Sequence, residues 1–272
     1  MDAAKEAETI IANLALDKGI GSKIRQAQLR QAQAGLRSLS GSLWGDRITP
    51  LMRRGIREAA EKGATSEMFI NDVLRKRGLP TVPGLEEAYR FDAHDTARNL
   101  YARQSNGISL SRNVYKAEAL SRGWVDREIN RALALQMSQK ELARRVSKLI
   151  RPDVRGGVSY AANRLARTEI NNAFHTSQIE RRSAEPWTRG MQWHLSGSHP
   201  RPDECNFYAL KVNFTGGGPG VFKPGETPSK PHPNCLCYLT TVTIGEQEFI
   251  DGFMDGKYDN FLRRETGFAS AG

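Results

Sequence analysis

The chain is short of the features that define several protein classes. It has 3 cysteines in 272 residues, and two of them, Cys235 and Cys237, stand one residue apart. Three thiols cannot all pair within one molecule, so a secreted disulfide scaffold is not expected. No run of about 20 apolar residues is present to span a bilayer. Met1 to Glu8 is polar and acidic, unlike the basic-then-apolar start of a secretory leader. Gly216-Gly217-Gly218-Pro219-Gly220 is not followed by Gly-Lys-Ser or Gly-Lys-Thr, so it is not a phosphate-binding loop. No Ser-His-Asp order or nucleophile elbow stands out, and there is no internal repeat or sustained heptad. These absences predict a protein made in a reducing cytoplasm, with no membrane contact, no small-molecule substrate and no catalytic site.

Acids are scarce relative to bases. There are 40 Lys and Arg against 30 Asp and Glu, a formal net charge of +10. That balance suits contact with nucleic acid or another acidic surface. The cations form short clusters along the whole chain: Arg53-Arg54, Arg75-Lys76-Arg77, Arg144-Arg145, Arg181-Arg182 and Arg263-Arg264. Acids separate these clusters, which reads as solvated helix faces and not as a dedicated DNA-reading arm.

From the N-terminus to about Pro152 the signals are helical. Thr65-Ser66-Glu67 opens a segment with Met68, Phe69, Ile70, Val73 and Leu74, and Gly78 and Pro80 stop it. Leu85 to Arg103 is a second helix, with Ala88, Phe91, Ala97, Leu100 and Tyr101 available for burial. Asp92, His94 and Asp95 are expected to cap a helix start or sit on its exposed face. Ser138-x-x-Glu141 is a capping box before Leu142, Val146, Leu149 and Ile150. Lys23 to Leu39 reads as a further helix without a broad apolar stripe, so it is expected to be solvated or to lie on a partner.

Gly156-Gly157 is a natural break. Val158 to Arg182 then reads as one long helix with Ala162, Ala166, Ile170, Ala173, Phe174 and Ser177 on its buried stripe. Arg164, Arg167 or Thr168, Asn171, His175 and Gln178 recur on a polar stripe. Gly190 to Leu195 reads as a short strand that includes His194, Cys205 to Leu210 as a helical turn, and Leu236 to Ile244 as a strand. Glu248 to Leu262 is a closing helix interrupted by Gly252 and Gly256.

The stretch from Trp193 to Tyr238 holds all three cysteines and three of the 5 histidines, on Pro- and Gly-rich turns. Thiolates and imidazoles concentrated in this way fit a zinc site. The alternative is three ordinary buried cysteines acting as small hydrophobes. Cys235 and Cys237 face one side of an extended strand and can both reach one ion where the chain kinks. His232 sits a turn earlier between Pro231 and Pro233, and Cys205 arrives from the other branch. The predicted ligand set is Cys205, His232, Cys235 and Cys237, with His199 in reserve and Asp203 as a carboxylate that holds an imidazole. Four protein ligands leave no open position for water, so the metal's expected role is structural. Arg167 or Glu169 is expected to clamp the long helix to the metal-bearing hairpins by an ion pair.

Trp193, Asp203-x-Cys205, the Gly-rich turn and His232-Pro233-x-Cys235-x-Cys237 together resemble the head-morphogenesis family of tailed phages, named after the F minor capsid protein of phage Mu. Leu165-Ala166-Arg167-Thr168-Glu169, followed by Asn171, Asn172 and Ala173, is similar to a helix that members carry just upstream. The resemblance covers about Val125 to Thr243. It departs from the common pattern in two places: Tyr208 stands where many members have a second cysteine, and Leu236 stands where many have arginine. The first departure rules out a four-cysteine site.

Taken with the residue patterns, this predicts an α+β protein. A helical region over 1–155 precedes a Mu F-like domain over 156–245, built of a long helix and metal-braced hairpins, with a closing helix and tail over 246–272. The resemblance implies a minor capsid protein of the virion, made in the host cytoplasm and held inside the head. Its implied partners are the portal protein, other head proteins and packaged DNA, the last contacted without sequence preference. Two rivals are a metal-dependent nuclease, with His199, Asp203, His232 and Cys237 around an open ion, and a free-standing DNA-binding zinc module.

Overall fold

The computed structural model describes residues 3–14, 22–102, 104–105, 108–135, 137–150, 158–199, 202–211 and 217–267. The architecture is α+β as the sequence patterns imply: mostly helical, with a small three-stranded antiparallel sheet toward the C-terminus. The expected helix stop at Pro152 and the break at Gly156-Gly157 lie outside the described residues. Among the described residues no helix is long and apolar enough to cross a membrane.

Two compact units are present, and neither is continuous in sequence. Unit 1 comprises Met1–Arg54 and Ala102–Arg167, and unit 2 comprises Gly55–Tyr101 and Thr168–Gly272. The sequence patterns suggest instead consecutive pieces over 1–155, 156–245 and 246–272. Interleaving arises because two helices, α3 (Thr49–Thr65) and α8 (Val158–Ala184), each run from one unit into the other. Charge divides with the units. Unit 1 has 23 Lys and Arg against 10 Asp and Glu, a net of +13, while unit 2 has 17 against 20, a net of −3.

Unit 1 is built on α1 (Ala3–Ala12), α2 (Ser22–Ser42), a π-helical stretch over Leu43–Ile48, α6 (Leu110–Ala134) and α7 (Gln139–Ile150). A two-stranded hairpin, β1 (Gln104–Ser105) with β2 (Ile108–Ser109), precedes α6. Helix α2 corrects the expectation of a solvated or partner-bound element. Its narrow row of Leu29, Ala32, Leu36 and Leu39 is buried in one cluster with Ile11 of α1, Val125 and Ile129 of α6, and Leu142 and Val146 of α7. Burying each large aliphatic contributes about 1.5–3 kcal/mol, so three well-placed leucines and an alanine suffice where a broad stripe is lacking. Polar contacts fix the register of this packing: Gln33 and Arg37 both donate to Asp126, at 2.7 and 2.8 Å. The start of α7 is capped as expected, with the Glu141 amide donating to Ser138 Oγ at 3.3 Å. The Glu141 carboxylate, however, turns forward to Arg144 and Arg145 and not back to the cap.

Unit 2 gathers the C-terminal part of α3, α4 (Phe69–Lys76), α5 (Leu85–Ala102), most of α8, the sheet, and α10 (Glu246–Met254) and α11 (Asp259–Thr266). Helix α4 ends where Gly78 adopts a left-handed conformation, φ +67°. Along α5 the buried row is Leu85, Tyr89, Ala93 and Ala97, spaced by four residues; Phe91, expected inside, is exposed. Asp92, His94 and Asp95 sit mid-helix and not at its start, where they pair with Arg181, Glu61 and Arg98 respectively. The closing segment does break between α10 and α11, at a left-handed Gly256. Trp187 anchors this end, with ring centroids of Phe249, Tyr258 and Phe261 at 5.2–5.6 Å in edge-to-face geometry.

Gly63 of α3 lies against α8 so closely that a Cβ there would fall 2.3 Å from the Phe174 carbonyl oxygen. Backbone cannot yield as a flexible side chain does. Gly63→Ala is therefore expected to cost about 1–3 kcal/mol through forced separation of the two helices. Thermal unfolding of the variant checks this, and an unchanged midpoint would show that the contact is loose.

The sheet has the order β4-β3-β5, from β3 (Thr188–His194), β4 (Val221–Phe222) and β5 (Tyr238–Thr243), with Trp193 opposite Leu239 and Met191 opposite Phe222. A short helix, α9 (Glu204–Leu210), leaves the sheet and returns through the Gly-rich turn. Gly220 is required there: its φ is +73°, and a Cβ would meet the carbonyl oxygens of Ala209 and Trp193 at 2.8 and 2.9 Å.

Candidate metal centre

Two branches of chain converge beside the sheet. The first carries Cys205 in the opening turn of α9. Asp203 caps that helix: its Oδ1 accepts from the Cys205 amide at 2.8 Å, while Asn206 Oδ1 accepts from the Asp203 amide at 3.0 Å. Cys205 is thus held at a fixed point by local backbone chemistry. The second branch is His232-Pro233-Asn234-Cys235-Leu236-Cys237. Asn234 takes a left-handed conformation, φ +59°, which asparagine tolerates better than most residues. That kink turns the chain so that Cys235 and Cys237 both point inward while Leu236 between them is exposed.

All three thiols are buried, and their sulfurs lie within 4.8 Å of one another. Cys205 Sγ is 3.5 Å from Cys235 Sγ and 3.4 Å from His232 Nε2. His199 approaches from the other side, with Nδ1 3.8 Å from Cys237 Sγ. A tetrahedral zinc with Zn–S of about 2.3 Å and Zn–N of about 2.0 Å has ligand–ligand edges of about 3.5–3.8 Å. The three spacings given fall near such edges, though neither imidazole lies within 4.8 Å of all three sulfurs. The three-cysteine cluster can therefore hold a metal ion. Asp203, Cys205 and His232 form a second set within the same 4.8 Å span, sharing Cys205 with the first.

Without an ion, Cys205 and Cys235 are held protonated. Burial pushes the Cys205 and Cys235 thiols up, and for Cys205 the neighbouring thiols add to the effect. A bound divalent ion reverses this, because thiols deprotonate on coordination. Lys230 supplies a further positive charge: its ammonium donates to the carbonyls of Cys235, at 3.2 Å, and Cys237. Three thiolates around a divalent ion carry a net charge of −1, which Lys230 offsets. Asp203 is held below the usual carboxylate range, since the Cys205 amide and the two imidazoles outweigh its desolvation.

Behind the loop stands the polar stripe of α8, and here the structure assigns partners that the sequence pattern does not. Thr168 Oγ1 accepts from the Asn234 amide at 3.2 Å. Asn171 Nδ2 donates to the Cys235 carbonyl at 2.8 Å. His175 Nε2 lies 3.1 Å from the Pro228 carbonyl, and Gln178 Nε2 donates to the Leu239 carbonyl at 3.4 Å. These residues recur every three or four positions, so one helix face supports the loop from Pro228 to Leu239. Burial lowers the His175 pKa to about 4, with Lys230 adding to the shift, so the ring is a neutral donor at pH 7. The expected ion-pair clamp through Arg167 or Glu169 is corrected: neither pairs with a described residue, and burial raises the Glu169 carboxyl. Hydrogen bonds to backbone replace the ion pair because the loop presents carbonyls and amides to α8.

His194 is a strand residue as expected, stacked on Tyr238 with Nε2 2.8 Å from Thr240 Oγ1. Lys230 and the partners of the α8 stripe are the functional residues that sequence reasoning missed. The four-residue recurrence of polar side chains on a helix next to a thiol cluster was the available signal. No protein-family model matches the chain, and neither does any curated protein or solved structure.

Proposed function

We propose that the chain is a minor capsid protein of a tailed phage, of the Mu F-like head-morphogenesis kind, with a structural zinc held by Cys205, Cys235, Cys237 and an imidazole, that of His232 or His199. It acts inside the head, in contact with the portal and with packaged DNA, and it is not an enzyme. One observation carries this reading. The two pieces of sequence that resemble the family, the Ala166-Arg167-Thr168-Glu169 helix and the His-Pro-x-Cys-x-Cys loop, are joined by hydrogen bonds from the Asn234 amide to Thr168 and from Asn171 to the Cys235 carbonyl, between residues 66 and 64 positions apart. A motif whose distant halves support one another is a single built unit and not a chance composition. Mass spectrometry of purified heads is expected to find the protein in the particle; its absence from heads would sink the minor-capsid reading.

The charge division supports the DNA part and favours unit 1 as the unit that makes the contact. Unit 1, at +13, attracts phosphates, and unit 2, at −3, does not. In α7 the exposed Lys140, Arg144 and Lys148 recur every four residues, opposite the buried Leu142 and Val146. Replacing Arg30, Arg127, Lys140 and Lys148 with Ala is expected to weaken binding to any duplex and to reduce the salt slope by about 1 for each phosphate no longer neutralised. Replacing Arg75, Lys76 and Arg77 of unit 2 is expected to leave the slope unchanged. An equal effect from both sets, read by fluorescence anisotropy across a salt series, would refute the assignment to unit 1.

A further inference from the structure

We propose that the three thiols form the fixed base of a one-ion site whose fourth ligand is shared between two imidazoles. His199, 3.8 Å from Cys237 Sγ, would bind through Nδ1 after closing on the other two thiols, and His232, 3.4 Å from Cys205 Sγ, would bind through Nε2 when its contact with Asp203 is released. The inference rests on the zinc reading above and deepens it. The ligand class is a thiolate-preferring divalent ion, zinc or its spectroscopic stand-in cobalt(II).

Three thiols and two rings make five soft or borderline donors, and a tetrahedral ion takes four. A ligating imidazole turns one nitrogen to the metal and donates the other N–H to a fixed acceptor. Both rings meet that requirement. His199 has Nδ1 3.8 Å from Cys237 Sγ and Nε2 2.9 Å from Asn206 Oδ1. His232 has Nε2 3.4 Å from Cys205 Sγ and Nδ1 3.1 Å from the Pro233 carbonyl. They approach different corners of the thiol triangle, so both cannot complete one tetrahedron.

Asp203 makes the two positions unequal. Its Oδ1 is 3.3 Å from His199 Nε2, and its Oδ2 is 3.0 Å from His232 Nε2. For His199, the nitrogen facing Asp203 is the one turned away from the thiols, so the carboxylate and Cys237 are served together. For His232, the same nitrogen faces both Asp203 and Cys205. It can give its proton to the carboxylate or its lone pair to a metal, but not both. His199 is therefore the ligand that needs no hydrogen bond broken. The cap that fixes Asp203 to the Cys205 amide keeps the carboxylate between the rings in either state.

The test uses the full chain with His199→Gln, His232→Gln, the double variant and the wild type, each loaded with zinc or cobalt(II). Zinc per chain is measured after dialysis against a graded chelator, and the cobalt(II) thiolate and ligand-field bands report the donor set. Sharing predicts that each single variant keeps about one ion per chain, with affinity down no more than about 10–100-fold. The double variant should lose the ion at chelator levels that both singles survive. Cobalt(II) spectra of the two singles should each keep three thiolates and one nitrogen. If one single variant loses metal as completely as the double, that ring is a dedicated ligand and sharing is wrong. If the double variant holds metal like the wild type, neither ring is a ligand. A wild type that takes up neither ion overturns the zinc reading itself, an outcome separate from both of these.

Discussion

Chelating the proposed zinc, or replacing Cys205 or Cys237 with Ser, is expected to melt the sheet end of unit 2 and expose it to protease while the helices of unit 1 stay folded. Structural zinc contributes roughly 10 kcal/mol or more of apparent binding free energy at neutral pH. Whole domains are stable by only about 5–15 kcal/mol. The thiols are members of the core that contains Met191, Trp193, Phe222 and Leu239, so losing the ion also leaves a cluster of buried thiols whose polar neighbours lack a counter-charge. Trp193 reports the event. It is buried, with His175 and Tyr208 ring centroids both at 5.2 Å, and its near-ultraviolet signal should collapse on chelation. Limited proteolysis should then cut between β3 and β5 first. A chelated protein that keeps its Trp193 signal and unfolds within about 2 °C of the untreated one, no more than about 1 kcal/mol for a unit of this size, would mean that three buried hydrophobic cysteines describe the site better.

The second large effect is expected at Arg182 and Glu185. Both side chains are almost fully buried, at 0% and 1% exposure, and they form an ion pair. Arg182 also donates to the carbonyls of Ala64, at 2.6 Å, and Ser66, at the C-terminal end of α3. The last turn of a helix leaves carbonyls without partners, and here a buried guanidinium satisfies them. Tyr89 Oη and Trp187 Nε1 complete the ring of donors around Glu185, at 2.9 and 3.1 Å. Burial pushes the Glu185 carboxyl up, and Arg182 with the Tyr89 and Trp187 donors pulls it back.

Arg182→Ala would strand a carboxylate and two carbonyls in the interior. The expected cost is about 3–5 kcal/mol, or about 10 °C in Tm for a unit of this size. Arg182→Met with Glu185→Leu should cost less than either single truncation, because the unpaired charge is gone. Thermal denaturation of the three variants separates these cases. A single variant within about 1 kcal/mol of wild type would show that water reaches the pair.

Local chemistry was legible in the chain. The stop of α4 at Gly78, the cap of α7 at Ser138, the break between α10 and α11, and the inward pairing of Cys235 with Cys237 each depend on residues within a few positions of one another. Turn and cap propensities act over that range. The ligand types of the metal centre were legible too, because thiols and imidazoles have few other reasons to crowd onto Pro-rich turns. Burial in α2 and α5 was read less well. The average apolarity of α2 hides a narrow Leu and Ala row, and Phe91 was placed by hydrophobicity instead of by its position on the α5 face.

By itself, then, the sequence determined most of the elements, the Ser138 cap and the thiols that converge where a metal could be held. Tertiary structure decided what those elements meet. Cations that look evenly scattered along the chain collect in unit 1, because the fold interleaves distant segments and leaves unit 2 acidic. Arg181-Arg182 reads as a solvated cationic cluster, but the structure buries both, with the end of α3 and Glu185 closing over Arg182. His199 and His232 look like a reserve and a ligand until Asp203 is found between them. In each case the deciding interaction joins residues far apart in the chain, and no local pattern encodes which distant surface will arrive.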